Sequence, residues 1–315
     1  MERCYKMHKV VGIALTLVLL VVIGCNSGPS GQNIQEDYHT GTQGITINFL
    51  ANSPPSRIYE GDNLDIAMEL QNKGAYPGEG QSLTGKLALS GFDPASISGS
   101  WDGGGNMPTG LEGKNQGNPE GGYGVMTFKD MSGVHVPFDA DYYEPTILVH
   151  SCYKYETEAD VMVCIDPDPY KVVQENKVCE IGDVSLGGGQ GAPIAITRVE
   201  EEVGSDKIYF RIYVSNSGDG TPMLTSAYSD CPFDVELQDL DKATAQIKLP
   251  YDASPDCSPR GTTSDPIRLT NGEGYIFCKF SKPASQSAYK TSLNVKLDYV
   301  YSSSVSKQIR IINMK

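Results

Sequence analysis

Two separate stretches of this chain carry a large apolar residue at every second position, which limits the folds that it can adopt. Every second residue is apolar in residues 64–70 (LDIAMEL), and residues 208–214 (IYFRIYV) repeat the pattern. A period of two buries one face of a β-strand, whereas an amphipathic helix requires a period of 3.6. No long run with a helical period follows the first 24 residues. We therefore predict an all-β fold.

The two alternating stretches continue in the same way. At a constant offset of 144 residues, each is followed by an Asn-x-Gly motif, Asn72-Lys73-Gly74 and Asn216-Ser217-Gly218. Asn and Gly supply the positive φ that a turn requires. The matched spacing predicts a duplicated domain, with chance similarity between two strand–turn patterns as the alternative. A glycine-rich linker at 187–193 would separate a β-sandwich at 43–186 from a second one at 194–315.

The amino terminus has the layout of an export signal. Three basic residues are followed by an uncharged and almost entirely apolar run from Val10 to Ile23. This run is too short for an untilted membrane span, which needs about 20 residues. We expect residues 1–24 to be a signal peptide and residues 26–315 to lie outside the cytoplasm.

Cys25 directly follows the apolar run, in the sequence Val22-Ile23-Gly24-Cys25. This stretch resembles a lipobox, in which the cysteine after the cleavage site carries a thioether-linked lipid. The resemblance implies that Cys25 is lipidated and that residues 25–42, which are polar and small, form a flexible tether. The alternatives are an uncleaved anchor and simple secretion.

The charge of the chain limits its partners. The sequence has 39 acidic and 25 basic residues, and a formal net charge of −14. Nucleic-acid binding depends on neutralising phosphates with basic residues, so we expect no nucleic-acid partner. The last 37 residues differ, because from Lys279 onward seven basic residues accompany only Asp298. We expect this basic end to pair with acidic residues of the same chain, with a docking surface for an acidic neighbour as the alternative.

Six further cysteines follow Cys25. An even number of cysteines in an exported chain predicts disulfides, and the wide gaps do not match the paired C-x₂₋₄-C ligands of a zinc site. We therefore expect no metal and no cofactor. The six residues are Cys152, Cys164, Cys179, Cys231, Cys257 and Cys278.

One pairing follows from a predicted hairpin. Residues 146–155 and 161–165 have strand character, with the acidic residues 156–160 between them. Folding about the middle of this acidic stretch places Cys152 opposite Cys164, at a spacing that a disulfide can close.

The remaining pairings depend on the predicted boundary near residue 187. Three cysteines lie on each side of it, so complete pairing requires at least one bridge across it. We predict that Cys179 pairs with Cys231 across the boundary, which leaves Cys257 to pair with Cys278.

The sequence contains no recognisable catalytic motif. Beyond the signal there are three histidines, His39, His135 and His150, and no H-E-x-x-H or G-x-S-x-G pattern. A Ser-His-Asp triad needs only to converge in space, but we interpret His150 as a structural histidine and predict no catalytic residue. Two acidic groups are interpreted as solvated loop carboxylates, with calcium binding as the alternative: Asp139, Asp141 and Glu144, and Asp166 with Asp168.

Residues 95–124 form an unusual insertion. They hold 10 of the 34 glycines and the only tryptophan, Trp101. Loops of this length are often functional, and a tryptophan among amide side chains can stack on and hydrogen-bond a sugar or a peptide. We predict a ligand-contact loop formed by Trp101, Asn106, Asn115 and Asn118, with a structural plug of the sandwich edge as the alternative.

Two stretches carry a resemblance to a known family. Residues 54–62 (PPSRIYEGD), followed by the alternating strand and Asn72-Lys73-Gly74, resemble the opening of CARDB-like, immunoglobulin-type β-sandwich domains. Residues 293–301 and 307–311 resemble a closing hairpin of such a fold. The chain also looks similar to uncharacterised archaeal surface lipoproteins. The resemblance implies tandem immunoglobulin-like sandwiches at a cell surface and carries over no catalytic residue.

These observations favour a non-catalytic lipoprotein, anchored in the membrane through Cys25, with a structural, adhesive or protein-interaction role in the envelope. Its expected partners are other envelope proteins or further copies of itself. A solute-binding lipoprotein of a transporter is the first alternative, although the helices usual for that class are lacking. A secreted hydrolase is the second.

Overall fold

The structure is a computed structural model that describes residues 38–98, 105–131, 133–169, 177–283 and 287–315. The predicted signal at 1–24, the predicted lipidation site Cys25 and Trp101 lie outside the described residues. The strands are β1 (Ile45–Phe49), β2 (Arg57–Tyr59), β3 (Leu64–Asn72), β4 (Gly85–Ser90), β5 (Gly105–Asn106), β6 (Tyr123–Met131), β7 (Tyr142–Tyr143), β8 (Thr146–Ile165), β9 (Val184–Ser185), β10 (Ile194–Val203), β11 (Lys207–Asn216), β12 (Thr221–Met223), β13 (Lys242–Lys248), β14 (Asp256–Ser258), β15 (Ile267–Arg268), β16 (Glu273–Ser281), β17 (Tyr289–Gln308) and β18 (Arg310–Ile312). Two short 3₁₀ helices span Thr225–Tyr228 and Leu237–Asp239.

The alternating stretches form strands, as the sequence predicts. The apolar residues of β3, from Leu64 to Leu70, are completely buried. In β11 the apolar residues from Ile208 to Val214 are buried in the same way. The prediction of an all-β fold is confirmed, because the regular structure of the described residues consists of strands and these two short 3₁₀ helices.

Two long strands form the centre of the molecule. β8 and β17 are 20 residues each and pair antiparallel over their whole length. They belong to one large sheet with the order β15-β13-β17-β8-β4-β5, in which β12 also pairs with β17. We call it the central sheet.

The predicted hairpin within residues 146–165 is wrong. Residues 156–160 continue β8, with Tyr155, Thr157 and Ala159 buried on one face. Their acidic neighbours lie on the opposite face, where Lys296 on β17 forms an ion pair with Glu156 at 2.5 Å. An acidic residue at every second position therefore suits a strand with one open face, and no turn is needed. The predicted closing hairpin is also wrong, because residues 293–301 and 307–308 belong to β17.

The strand order of the smaller sheets repeats between the halves of the chain. The order β1-β3-β6 in the first half corresponds to β10-β11-β16 in the second, which is extended by β9 and β14 at its two edges. The pairing of β4 with β8 corresponds to that of β13 with β17. A third small sheet has the order β2-β18-β7.

The two halves share one hydrophobic core. The odd-numbered residues of β8 from Ile147 to Ile165 are all buried, and they form one cluster with the apolar faces of both smaller sheets. Residues 38–315 accordingly make up one compact unit. The segment 187–193, predicted to be a linker, lies between β9 and β10. The central sheet contains strands that precede this segment in the chain and strands that follow it.

Among the described residues there are three disulfides, and one of the three predicted pairings is confirmed. Cys257 is bonded to Cys278, on the paired strands β14 and β16. The predicted Cys152–Cys164 bridge is wrong, because both residues lie on the one continuous strand β8, where twelve residues span about 40 Å. The predicted Cys179–Cys231 bridge is also wrong, because Cys231 is bonded to Cys152 and Cys179 is bonded to Cys164.

The Cys152–Cys231 bridge holds a segment on the outer face of the central sheet. Residues 224–241, which we call the covering segment, contain both 3₁₀ helices and form a small cluster with Cys152 and Val300. Lys86 donates a hydrogen bond to the carbonyl oxygen of Ser229 at 2.9 Å. As predicted, one disulfide links the two halves, although Cys152 takes the place of Cys179.

Candidate functional site

Four tyrosines lie where the halves meet. Tyr153 and Tyr155 on β8 lie opposite Tyr301 and Tyr299 on β17, and neighbouring rings are 5.7–6.3 Å apart. Burial raises the pKa of Tyr153 and of Tyr299 far above the usual value for tyrosine, so both hydroxyls stay protonated. These hydroxyls accept hydrogen bonds from the backbone N–H groups of Ile45 and Ile194, the first residues of β1 and β10. The cluster therefore ties the first strand of each half to the central sheet.

The Asn-x-Gly motifs contribute to this junction. Tyr301 donates a hydrogen bond to the side chain of Asn216 at 3.0 Å, and Tyr155 lies 3.5 Å from the side chain of Asn72. The predicted reason for the glycines is wrong, because neither Gly74 nor Gly218 has a positive φ. A Cβ atom at Gly218 would lie 2.3 Å from the Tyr301 hydroxyl, and one at Gly74 would be closer still to Tyr155. Both positions therefore require glycine because a tyrosine side chain of the cluster approaches the backbone closely there.

The three histidines lie in different environments. His39 is exposed, and His135 is 60% exposed with Nδ1 3.6 Å from a carboxylate oxygen of Glu60. His150 is half-buried on β8, and this burial lowers its pKa. Its Nε2 lies 2.7 Å from the hydroxyl of Ser90 on β4, and its ring contacts the ring of Phe233 at 5.3 Å.

The acidic groups considered for calcium are paired with basic side chains. Lys315 contacts Asp139 at 3.0 Å, and Lys177 contacts Asp166 at 2.5 Å. Arg310 donates hydrogen bonds to Glu144 from two of its nitrogens. Within the described ranges, no group of three His, Cys, Asp or Glu residues is arranged to hold a metal ion. Arg310, Lys315 and Lys296 also confirm that the basic end of the chain pairs with its own acidic residues.

The described part of the glycine-rich insertion packs against the end of β3. The buried Leu111 accepts a hydrogen bond from the Asn72 side chain. Asn115 accepts hydrogen bonds from the backbone N–H groups of Gly117 and Asn118, and the Asn118 side chain donates to Glu112. Two of the asparagines predicted to contact a ligand therefore stabilise the loop itself. Asn106 is exposed on β5, and Trp101 is outside the described residues.

The outer face of the β10-β11-β16 sheet carries aromatic and arginine side chains in a continuous array. Arg198 lies 4.3 Å from the ring centre of Tyr213, and Arg211 lies between the rings of Tyr275 and Phe277 at 5.7 and 5.8 Å. The rings of Tyr209 and Phe277 are stacked at 5.7 Å. We call this surface the Tyr–Arg face, and it consists of Arg198, Glu200, Tyr209, Arg211, Tyr213, Tyr275 and Phe277.

Glu200 organises the polar part of the Tyr–Arg face. Its carboxylate contacts Arg198 at 2.8 Å and Arg211 at 3.3 Å, and it accepts a hydrogen bond from the Tyr213 hydroxyl at 2.9 Å. Both guanidinium groups are therefore held over the rings in fixed orientations. Tyr275 remains 54% exposed, and Tyr209, Tyr213 and Phe277 are partly exposed.

The matching face of the first half lacks this array. Where β11 presents Tyr209, Arg211 and Tyr213, β3 presents Asp65, Ala67 and Glu69. The same pairing of strands thus forms without the aromatic residues, so the fold does not require them. The only sequence signal for the Tyr–Arg face was the occurrence of tyrosine at the outward-facing positions of an alternating strand. Small or charged residues usually fill such positions.

An open groove runs beside β1. Its volume is about 430 Å³, and it lies between residues 42–48, the turn at Ser217–Asp219 and residues 301–305 of β17. Its polar lining includes Thr42, Gln43, Asn48, Ser303 and Ser304. No sequence pattern indicates this groove, because its three walls are far apart in the chain.

Comparison of the sequence with known protein families and with curated proteins finds no match in either. No helix in the described part of the chain is long and apolar enough to cross a membrane. The three disulfides indicate folding in an oxidising compartment outside the cytoplasm.

Proposed function

We propose that this protein is a non-catalytic lipoprotein of the cell envelope that binds another envelope component through its Tyr–Arg face. The observation that carries the proposal is the exposed array of Tyr275, Phe277 and Arg211, which has no counterpart on the matching face of the first half. Tyrosine and arginine are enriched among the residues that dominate binding energy in protein interfaces. Their orientations are set before binding, which lowers the entropy lost on association.

The proposed setting rests on the amino terminus and on the disulfides. The lipobox-like residues support a lipid at Cys25, which would anchor the protein to the membrane and leave residues 26–42 as a tether. The repeated strand order supports the further proposal that each half derives from a CARDB-like, immunoglobulin-type sandwich. In that case the two sandwiches have fused through β8 and β17.

A secreted hydrolase is the second candidate, and the contact between Ser90 and His150 favours it. A serine hydroxyl 2.7 Å from an imidazole of lowered pKa has the geometry of a nucleophile and its base. However, within the described residues no carboxylate contacts this imidazole to orient it, and the Phe233 ring packs against it. We therefore rank this candidate below the binding function.

Site-specific photocrosslinking on intact cells tests the binding proposal. A benzophenone amino acid replaces Tyr275, and the matched control replaces Val125, which occupies the same register on β6 and is 46% exposed. We expect a defined crosslinked product from position 275 and not from position 125. Arg211→Ala should abolish that product without changing the amount of protein in the membrane fraction. Equal products at both positions, or none at 275, would contradict the proposal.

A further inference from the structure

The edge of β1 exposes backbone groups that have no partner among the described residues. Residues 44, 46, 48 and 50 are the ones that hydrogen-bond to β3, as the bonds from Lys73 to Gly44 and from Leu50 to Ala67 show. The N–H and C=O groups of Ile45, Ile47 and Phe49 therefore point away from β3, and Ile45 and Ile47 line the groove. Of these, the N–H of Ile45 is bonded to the Tyr153 hydroxyl. The rest form an open strand edge.

The matching edge in the second half is closed by the chain itself. Ile194 and Ile196 correspond to Ile45 and Ile47, because Ile194, like Ile45, donates its backbone N–H to a tyrosine of the central cluster. The side-chain amide of Gln190 bonds both backbone groups of Ile196, at 2.8 and 3.1 Å. The carbonyl of Ile194 accepts a hydrogen bond from Thr157 at 2.7 Å, and β9 pairs with β10 further along.

The residues that could close the edge of β1 in the same way are used elsewhere. Ser303, which corresponds to Thr157, is bonded to the Ser151 hydroxyl. The chain just before β1 bonds to the segment before β10, since Gly41 bonds with Gly188 and Gly191. Within the described residues, nothing therefore takes the position that Gln190 and β9 occupy in the second half.

We infer that the groove beside β1 binds an extended segment of a partner polypeptide, which adds as a strand to the edge of β1. Free N–H and C=O groups along a strand edge recognise a backbone without regard to its sequence. The turn at Ser217–Asp219 and residues 301–305 of β17 form the other walls, and the volume of about 430 Å³ is comparable to a few residues of a single extended chain. The exposed Asp219 favours a basic residue in that segment. The groove is separate from the Tyr–Arg face, and neither proposal depends on the other.

The test is residue-resolved amide hydrogen exchange on the full mature chain. The probe is an end-capped heptapeptide of alternating threonine and valine with a terminal lysine. In the free protein we expect the Ile47 amide to exchange faster than the Ile196 amide, which is bonded to Gln190. Saturating peptide should slow exchange at Ile47 and Phe49 to about the rate of Ile196. The same peptide N-methylated at alternate residues loses its donors on one edge, and should not protect them.

Two variants provide the controls. Val305→Trp fills the groove and should abolish protection by the peptide, whereas Ser306→Trp, on the exposed opposite face of β17, should not. The inference is overturned if the N-methylated peptide protects equally, or if the unmodified peptide leaves both amides unchanged. It is also overturned if the free protein already protects Ile47 as well as Ile196. Protection that grows with protein concentration would identify a second copy as the occupant, which also contradicts the inference.

Discussion

At the scale of single residues, Glu201 is the most unfavourably placed charge. It lies on β10 at a position that faces the interior, and both of its carboxylate oxygens are buried without a hydrogen-bond partner among the described residues. Burial is the main reason that the pKa of this carboxyl is raised to about 8, and the nearby Asp166 contributes to the rise. Removing a carboxylate from water is costly when nothing replaces the lost hydration. The group is therefore largely protonated at neutral pH.

This placement predicts a pH-dependent stability. Because the folded-state pKa is raised from 4.5 to about 8, folding binds a proton between these values, and stability falls as the pH rises through this window. The contribution of Glu201 has a slope of at most about 1.4 kcal/mol per pH unit. Glu201→Gln should remove this contribution to the slope. Urea unfolding at several pH values between 4.5 and about 8 measures the slope. Glu202→Gln, at the exposed neighbouring position, should leave it unchanged. An identical slope in the wild type and Glu201→Gln would contradict the prediction.

At the scale of elements, the covering segment depends on one disulfide. It follows β12 and contains only 3₁₀ turns, so few backbone hydrogen bonds hold it to the central sheet. Cys152–Cys231 fixes its middle, and Lys86 and Lys154 lie over the ring of Tyr228 at 5.3 and 5.0 Å. A strand of the central sheet, in contrast, is held by its neighbours along its whole length.

Removing this disulfide should act both locally and globally. Its cysteines are 79 residues apart, compared with 15 for Cys164–Cys179. The loop-entropy relation then predicts that replacing the Cys152–Cys231 pair with alanine costs about 1.5 kcal/mol more in unfolding free energy than replacing the other pair. Urea unfolding of the two double variants measures this difference. Amide exchange of residues 224–241 should accelerate in the first variant alone, and equal protection in both would contradict the local role.

At the scale of the whole molecule, the two halves cannot separate without exposing the core. β8 contributes buried residues along nearly its whole length and β17 contributes them from Leu293 to Tyr301, and both smaller sheets pack into the same cluster. The tyrosine cluster adds hydrogen bonds to both first strands at the same junction. A chain built in this way should unfold as one cooperative unit.

Matched core substitutions test this cooperativity. Leu64→Ala in β3 and Ile208→Ala in β11 remove completely buried side chains at corresponding positions, and each should cost about 2–5 kcal/mol. We expect each variant to lower the protection of the slowest amides in β3 and β11 equally, as measured by native-state hydrogen exchange. Loss of protection in the substituted half alone, or two separate unfolding transitions, would show independent domains.

The local features of this protein can be predicted from its sequence. Alternation in residues 64–70 and 208–214 identified β3 and β11, because burial of one face imposes a period of two wherever the strand lies. The constant offset of 144 residues between the two Asn-x-Gly motifs indicated the repeated strand order, because each motif follows the corresponding strand of its half. The predicted Cys257–Cys278 bridge is correct, although both pairings from which it was derived by elimination are wrong. The lipid at Cys25 and the ligand contact of Trp101 stay predictions.

The way in which the two halves combine depends on contacts between residues that are far apart in the chain. An acidic stretch such as residues 156–160 suits a turn or a strand with one open face, and only the partner strand β17, with Lys296 opposite, distinguishes the two. The pairing of Cys152 depends on whether these residues form a turn or a strand. Because β8 is a continuous strand, Cys152 lies far from Cys164, and its partner is Cys231. The Tyr–Arg face and the groove beside β1 assemble from segments far apart in the chain. Their chemistry depends on which strands become neighbours, and this is set by the packing of the shared core.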